Sequence, residues 1–571
     1  MRRSLVAAVL TLVTLVMLAP PGYAQAPVPK VTISGLFDQV TSMGRNTYDG
    51  NLTRNSDSEW YARTRFRPDF EFAVGRVRAV LGLEIDLAYG QMGPNDGGFP
   101  GNVSGQAGGV GATAGSPVPG TKVNTNGALD INTDVGGMIE IKWIYTEFPL
   151  TGKDSLLPFI PVETMARAGG QPFDTLGQYK LAQYANGDFA GVSAVTTFTP
   201  DIKSNLAWVI IEDQLAGANR GNPSLKTGRG EDSALIASVD ITPTKGLDIK
   251  PLYSWIHLDG QTSGTVRRNL VNRLTAGGAL NAVAALGEPP NAAAAGSPTF
   301  HQDRHTIGFD ARWRIGGFGL DPTIYYQFGH AATESIVTGA GANGTTTAKT
   351  SADISAFLLD VIASYQLGPL LLEARGDYSP GNKARANLSK GINYYQPLDT
   401  DGNYWAGGWT HFFASSPVDY FSQGWATTGN YVGYDRYGRV GGALRATYSI
   451  TPALSLTALV HTFWTAEAVD TDTGSVLASA GGSGTPARTI VSQNSFAQGD
   501  SNYVGTELGA LLTWRFSANA SFDSNLAYFF AGDALDATEC TNGVATCSPN
   551  LTRKKSAQDA WVWGARVRLA F

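Results

Sequence analysis

The chain contains two cysteines and six histidines in 571 residues. That scarcity excludes a disulfide-stapled scaffold and leaves little material for a His/Cys metal centre. Long apolar runs are missing too. Apart from Leu5 to Leu18, no stretch approaches the roughly 20 residues a membrane-spanning helix needs, and a mean hydropathy of −0.09 excludes a helical membrane protein. Charged residues are only 16%, the net charge is −6, and no basic stripe is concentrated enough for a nucleic-acid partner. Nucleophile elbow, phosphate loop and zinc motif are all absent, so no catalytic residue and no cofactor is assigned. His301 and His305 are four apart, a spacing that suits a metal only on a helix. They open a strand-like run, so no metal site is assigned there. What is abundant is glycine, at 68 residues, with 10% aromatics. Gly-rich connections between aromatic, alternating runs point to a large β-structure.

The N-terminus reads as an export signal. Arg2 and Arg3 precede the apolar run, Pro20 and Pro21 break it, and Gly22-Tyr23-Ala24 offers small residues for a signal peptidase. Cleavage is expected after Ala24, giving a 1–24 signal peptide and one 25–571 domain. The alternative, a membrane anchor, has too short an apolar run.

The last thirteen residues show the pattern that organises the rest. Phe571, Leu569, Val567, Ala565, Trp563 and Trp561 fall on one face of a strand, and Arg568, Arg566 and Gly564 on the other. The pattern recurs near the start. Trp60, Ala62, Thr64, Phe66, Phe70 and Phe72 share a face opposite Arg63, Arg65, Arg67, Asp69 and Glu71. Pro68 lacks a donor and predicts a bulge or strand end. In the next run Val77, Ala79, Leu81, Leu83 and Ile85 oppose Arg78, Glu84 and Asp86. A fourth run places Ile139, Ile141, Trp143 and Tyr145 outside, with Glu140 and Lys142 inside. In a fifth, Glu163, Arg167 and Gln171 share one face.

Short turns alternate with long polar connections along the chain. Thr199-Pro200, Thr242-Pro243, Gly316-Gly317, Gly368-Pro369, Thr451-Pro452 and Ser517-Ala518 mark turns. Long loops are expected near 91–133, 214–231, 259–300, 332–351, 381–436, 467–502 and 532–556. The reading is an all-β, antiparallel up-and-down transmembrane barrel of about eighteen strands, sixteen being the alternative, with short periplasmic turns and long extracellular loops. The faces assigned inward carry both signs of charge, among them Asp310, Glu373, Arg375, Asp377, Arg439, Arg445, Glu507, Asp523, Arg566 and Arg568. Unpaired charges in a dry interior are too costly, so a water-filled pore is the simpler account.

The leader, the alternation of turns and loops, the stretches WYARTRFRPDFEFAVGRVRAVLGLEID (Trp60 to Asp86) and ARAGGQPF (Ala166 to Phe173), and the terminal Phe571 together resemble the bacterial trimeric general-diffusion porins. One departure is Arg566, where that family commonly has glycine; here Gly564 lies two residues earlier. The resemblance implies an outer-membrane pore for passive diffusion of small hydrophilic solutes and ions. It also implies a homotrimer, contact with outer-membrane lipid and lipopolysaccharide, and assembly machinery that reads Phe571. It further implies a third loop, Phe173 to Asp188, folded into the lumen. Asp174 and Asp188 on that loop would face Arg63, Arg65, Arg67 and Arg167 across a constriction. The alternative is that these arginines pair with Asp69, Glu71 or acids of neighbouring strands.

Three further features remain. Cys540 and Cys547 are expected to close a disulfide after export. The aromatic connection 381–436 either offers stacking platforms for ligands or packs on itself, caps the vestibule or reaches a neighbouring subunit. The basic Arg267, Arg268 and Arg273 would attract lipopolysaccharide or simply be solvated. The main functional rivals are a substrate-selective channel for sugars or small anions and, from another class, an outer-membrane hydrolase.

Overall fold

The computed structural model describes residues 28–46, 58–88, 138–173, 184–185, 188–211, 233–258, 299–338, 345–383, 391–398, 409–412, 437–469, 501–540 and 552–571. In chain order the strands are β1 (Lys30–Arg45), β2 (Ser58–Val74), β3 (Val77–Ala88), β4 (Met138–Thr151), β5 (Glu163–Pro172), β6 (Asp188–Thr199), β7 (Ile202–Ile210), β8 (Ser233–Thr244), β9 (Leu247–Leu258), β10 (Thr299–Ile315), β11 (Phe318–Thr338), β12 (Thr345–Leu367), β13 (Leu370–Ser379), β14 (Arg439–Thr451), β15 (Leu454–Val469), β16 (Ser501–Ser517), β17 (Ala520–Ala531), β18 (Ala537–Cys540), β19 (Thr552–Lys555) and β20 (Ala560–Ala570). Eighteen of them form one sheet, and β18–β19 is a separate hairpin within the last long connection.

Neighbours in sequence pair antiparallel throughout, and β20 pairs with β17 on one side and β1 on the other. The sheet therefore closes into a barrel and leaves no edge, the requirement for a sheet that sits in lipid. At the closing seam the Gly35 N–H donates to the Phe571 carbonyl at 2.9 Å, and the Phe571 N–H donates back at 3.0 Å. Outside the seam Phe37 stacks on Phe66 at 4.2 Å, with the Phe571 ring 6.2 Å from Phe66. Gly35 is required here because a Cβ would lie 2.2 Å from the Arg67 carbonyl oxygen.

Two-residue turns and the folded connection 152–162 close one end of the barrel; the long connections lie at the other. The outer surface is a belt of exposed Val, Leu, Ile, Phe, Tyr and Trp side chains such as Ile33, Ile141, Leu206, Leu444, Leu526 and Leu569. Inward residues of the same strands are polar and buried: Asp38, Arg63, Arg65, Glu84, Asn205, Arg304, Asp360, Arg375, Arg439, Glu507 and Asp523. The two-residue period of the sequence is therefore the inside–outside code of the barrel.

The structure corrects four local expectations. Trp143 and Tyr145 face inward, because β4 carries a bulge: the register with β3 passes from Leu83↔Ile141 to Gly82↔Trp143, so Lys142 is an extra residue and parity flips beyond it. The Trp143 indole lies over Gly82, where a Cβ would meet its Nε1 at 2.0 Å, and donates to Asp69 at 2.9 Å. Pro68 neither ends β2 nor shifts its register. It stands opposite Gly35, and pairing with β3 resumes unchanged beyond it. Thr242-Pro243 is the end of β8, and the turn is 245–246. The loop expected near 332–351 is mostly strand, since β11 and β12 run on to Thr338 and from Thr345.

Candidate functional site: the barrel lumen

The inner wall has two kinds of surface. From β20 through β1 to β5 it is a lattice of ion pairs. Arg568 Nε donates to Asp38 at 2.6 Å, and Arg566 Nη2 to Asp523 at 2.8 Å. Arg65 and Arg67 both reach Glu84 on β3, at 2.8 and 2.6 Å. Lys142, the bulge residue, lies 3.7 Å from Glu84 and 3.4 Å from Asp188. Glu147 accepts from Arg78 and from Arg167, each at 2.7 Å. The Arg167 guanidinium also lies over the Tyr145 ring at 4.6 Å.

Arg63, Arg65, Arg67 and Arg167 thus all lie on this wall, and Asp188 joins their network through Lys142 and Glu84. Asp174 lies outside the described residues. Glu84, the acid that Arg65 and Arg67 share, stands on the adjacent strand, while Asp69 accepts from Trp143 and Glu71 pairs with Arg78. Glu84 was readable as inward by parity; Glu147 was not, since unbroken alternation from Trp143 and Tyr145 puts it outside. Lys142 as a link between Glu84 and Asp188 was not readable either, because its placement depends on the bulge. Like charges at alternate positions of β2 stack about 7 Å apart, and an acid shared between two of them relieves that repulsion.

The second surface spans β6 to β12. Here the inner positions nearest the long connections are largely apolar on β7, β8, β9 and β12 (Ala207, Val209, Ala234, Ile236, Leu252, Ile256, Ile354 and Leu358), while β10 and β11 place Arg304, Thr306 and Gln327 among them. Chain from two connections covers them. Tyr184 donates to Ser254, and its carbonyl accepts the Leu398 N–H at 2.8 Å. Residues 391–398, between β13 and β14, begin by pairing with β12 above the point where β13 ends. The Ile392 N–H donates to Asp353 O at 2.8 Å, and Ser355 N–H to Ile392 O at 2.9 Å. The segment thus satisfies backbone groups β13 leaves open. Gln396 is then held by Gln327 in both directions, N–H to Oε1 at 2.8 Å and Nε2 to carbonyl at 2.7 Å. Arg304 donates to Gln396 Oε1 and Pro397 O. Tyr395 stacks parallel to Tyr325, and Tyr325 donates to Asp310 at 2.7 Å.

Residues 409–412 of the same connection lie on the inner wall of β13 to β17. The Glu507 carboxylate accepts the Thr410 hydroxyl and the N–H groups of His411, at 2.6 Å, and Phe412, at 3.3 Å. His461 Nδ1 meets the Trp409 carbonyl at 2.7 Å, and Arg445 lies 4.1 Å over the Trp409 ring. Phe412 stacks on Phe529 at 4.4 Å. The described parts of the aromatic connection therefore pack inside the barrel. Among the described residues no group of His, Cys, Asp and Glu is arranged to hold a metal ion. Cys540 ends β18; its side chain and Cys547 lie outside the described residues, as does the expected leader.

A closed eighteen-stranded antiparallel sheet, apolar outside and ionic within, is a transmembrane β-barrel of the bacterial outer-membrane type. No protein-family model matches the sequence, and no curated protein does. Among solved structures the chain is similar to Pseudomonas aeruginosa OccK8 (OprE), at 12% identity and a TM-score of 0.43, over 95% of this chain and 98% of that one. It is also similar to a BenF-like porin from Pseudomonas fluorescens Pf-5, at 10% identity and a TM-score of 0.45, over 95% and 98%. Pseudomonas aeruginosa OpdL gives 9% identity and a TM-score of 0.44, over 95% and 99%. The assignment to the class rests on the barrel's own closure and apolar belt.

Proposed function

We propose that the chain is an outer-membrane channel for small hydrophilic solutes, of the selective kind rather than an open general-diffusion pore. The observation that carries this reading is the seating of residues 391–398 and 409–412 inside the barrel. A ring of eighteen strands encloses more space than its own side chains fill. Chain folded in from one connection covers the apolar wall, and passage is left to the ionic one. We assign the constriction to Arg63, Arg65, Arg67, Arg167 and Asp188, with Asp174 as its loop acid. Alternating charges on low-dielectric walls focus the field across a narrow lumen, favouring polar solutes over apolar ones.

Planar-bilayer conductance with reversal potentials in a salt gradient, joined to liposome swelling with sugars and small anions, tests the proposal. A selective channel conducts and discriminates between equal-sized solutes. Swelling that depends on solute size alone would return the general-diffusion reading. A barrel with no conductance and no solute entry would be a plugged scaffold, and turnover of lipid or peptide would make it a hydrolase. Around this function we place a cleaved 1–24 leader, a homotrimer, contact with lipopolysaccharide, assembly through Phe571 and a Cys540–Cys547 disulfide. Mass measurement of the detergent-solubilised protein, with and without reductant, tests the leader, the trimer and the disulfide.

A further inference from the structure

Two ionisable residues on neighbouring strands, His461 of β15 and Glu507 of β16, stand opposite each other in register and grip the same segment of the inserted connection, residues 409–412. Both are fully buried. Glu507 accepts three donors of that segment, the Thr410 hydroxyl and the N–H groups of His411 and Phe412. His461 meets the opposite polarity. The Trp409 carbonyl can only accept, so Nδ1 of His461 carries the proton in their 2.7 Å contact. The wall is recessed for the segment. A Cβ on Gly509, the next inward position of β16, would lie 2.7 Å from His411 Cδ2 and 3.2 Å from Glu507 Oε1.

The companion segment is held by groups that do not titrate. Residues 391–398 join β12 through backbone pairs with Asp353 and Ser355, and Gln396 binds Gln327 and Arg304. At 409–412 three donors converge on one carboxylate. A neutral carboxylic acid keeps its carbonyl oxygen as an acceptor but turns its other oxygen into a hydroxyl donor. Protonated Glu507 would therefore aim a proton at groups that themselves present protons. The groups around it do not replace what is lost. Phe529, opposite on β17, is apolar. His461 keeps its Nδ1 proton whether neutral or charged, and His411 reaches Glu507 through its backbone N–H. Arg375 and Arg445 lie by the Trp409 ring at 5.7 and 4.1 Å, paired with Asp360 and Glu373.

We infer that Glu507 is a positioning residue for the channel, an acid-released latch. Ionised, it seats residues 409–412 on the wall; protonated, it frees them to move in the lumen, while residues 391–398 stay in place. Loss of one hydrogen bond to a charged acceptor shifts a seated-to-unseated ratio by about tenfold or more. The inference rests on the channel reading and adds a proton as its control.

The experiment is single-channel recording of the whole barrel in a planar bilayer, from about pH 7 down to about pH 4, a span that reaches through the ordinary carboxylic acid range. At neutral pH the wild type is expected to hold one steady current level. In acid a second level should be occupied about tenfold more often, and the steady level should return with neutral pH. Other lumen carboxylates meet the same acid, so the variants decide. Glu507→Gln should flicker at neutral pH as the wild type does in acid, with no further response. His461→Gln, whose amide N–H still reaches the Trp409 carbonyl, should keep the acid response. Thr410→Val removes one donor to the carboxylate and should move the onset about one pH unit higher. That change lies in the connection, and it carries the test if heat-modifiable migration shows that Glu507→Gln does not assemble. A wild-type trace unchanged by acid or not restored on neutralisation, a steady Glu507→Gln channel, an unmoved onset in Thr410→Val, or an acid response lost in His461→Gln overturns the inference and leaves the channel reading standing. A barrel that conducts at neither pH overturns both.

Discussion

The two halves of the lumen wall solve the same problem in opposite ways. From β20 to β5 the inward residues are charged and neutralise one another across adjacent strands, as in Asp38–Arg568, Arg65–Glu84–Arg67 and Arg78–Glu147–Arg167. From β6 to β12 the upper inward residues are largely apolar, Arg304, Thr306 and Gln327 excepted, and lie beneath Tyr184, Ile392, Tyr394 and Tyr395. The first wall supplies its own partners and needs no cover. The second exposes apolar surface on both faces, so the lumen side is buried only by bringing in another part of the chain. The comparison shows that an inward-folded connection is demanded by the wall it lands on.

The largest effect should come from breaking the self-sufficient wall. Glu84→Ala removes the acid shared by Arg65 and Arg67, both packed in the lumen. Loss of one partner of a buried pair costs about 3–5 kcal/mol, to be read as a lower urea midpoint of the folded barrel in micelles. On the covered wall, Tyr395→Ala removes the ring between Tyr325 and Arg439 and should cost about 3 kcal/mol by the same measurement. It should also raise single-channel conductance, which Glu84→Ala is not expected to do. If conductance stays unchanged, residues 391–398 do not obstruct the path.

Leu444→Arg places a charge on the lipid-facing side of β14, where Leu444 is 61% exposed, and should cost about 2–4 kcal/mol; the same residue at inward, half-buried Thr447 should be tolerated better. Equal costs would mean that the faces have been assigned the wrong way round. The smallest effect is expected from Arg65→Ala on permeation. One wall charge about 4 Å from a passing ion in water is worth about 1 kcal/mol, roughly a fivefold change in the anion-to-cation permeability ratio. An unmoved reversal potential would take Arg65 out of the constriction and leave it as a structural partner of Glu84.

Much of this was legible in the chain. The rhythm of Trp60 to Phe72 against Arg63 to Glu71 located β2 and its inner face, and the short turns located the far end of the barrel. Reading failed where a single residue changed parity. Nothing about Lys142 itself announces a bulge, yet it turns Trp143 and Tyr145 inward and links Glu84 to Asp188. Pro68 failed in the other direction. A missing donor predicts a break, but two strands on either side hold β2 in register across it.

Within each unbroken run the sequence by itself determined which side chains point to lipid and which to the lumen, since a strand's two-residue period is a local property of the backbone. It also determined that a sheet with so many lipid-facing strands had to close, because an open edge would leave backbone groups unpaired in hydrocarbon. Only the tertiary structure decided which acid meets which arginine, where β4 slips by one residue, and that residues 391–398 and 409–412 lie inside the barrel. Those outcomes depend on register between strands and on the fit of a connection to a distant wall, neither of which leaves a periodic trace in the chain.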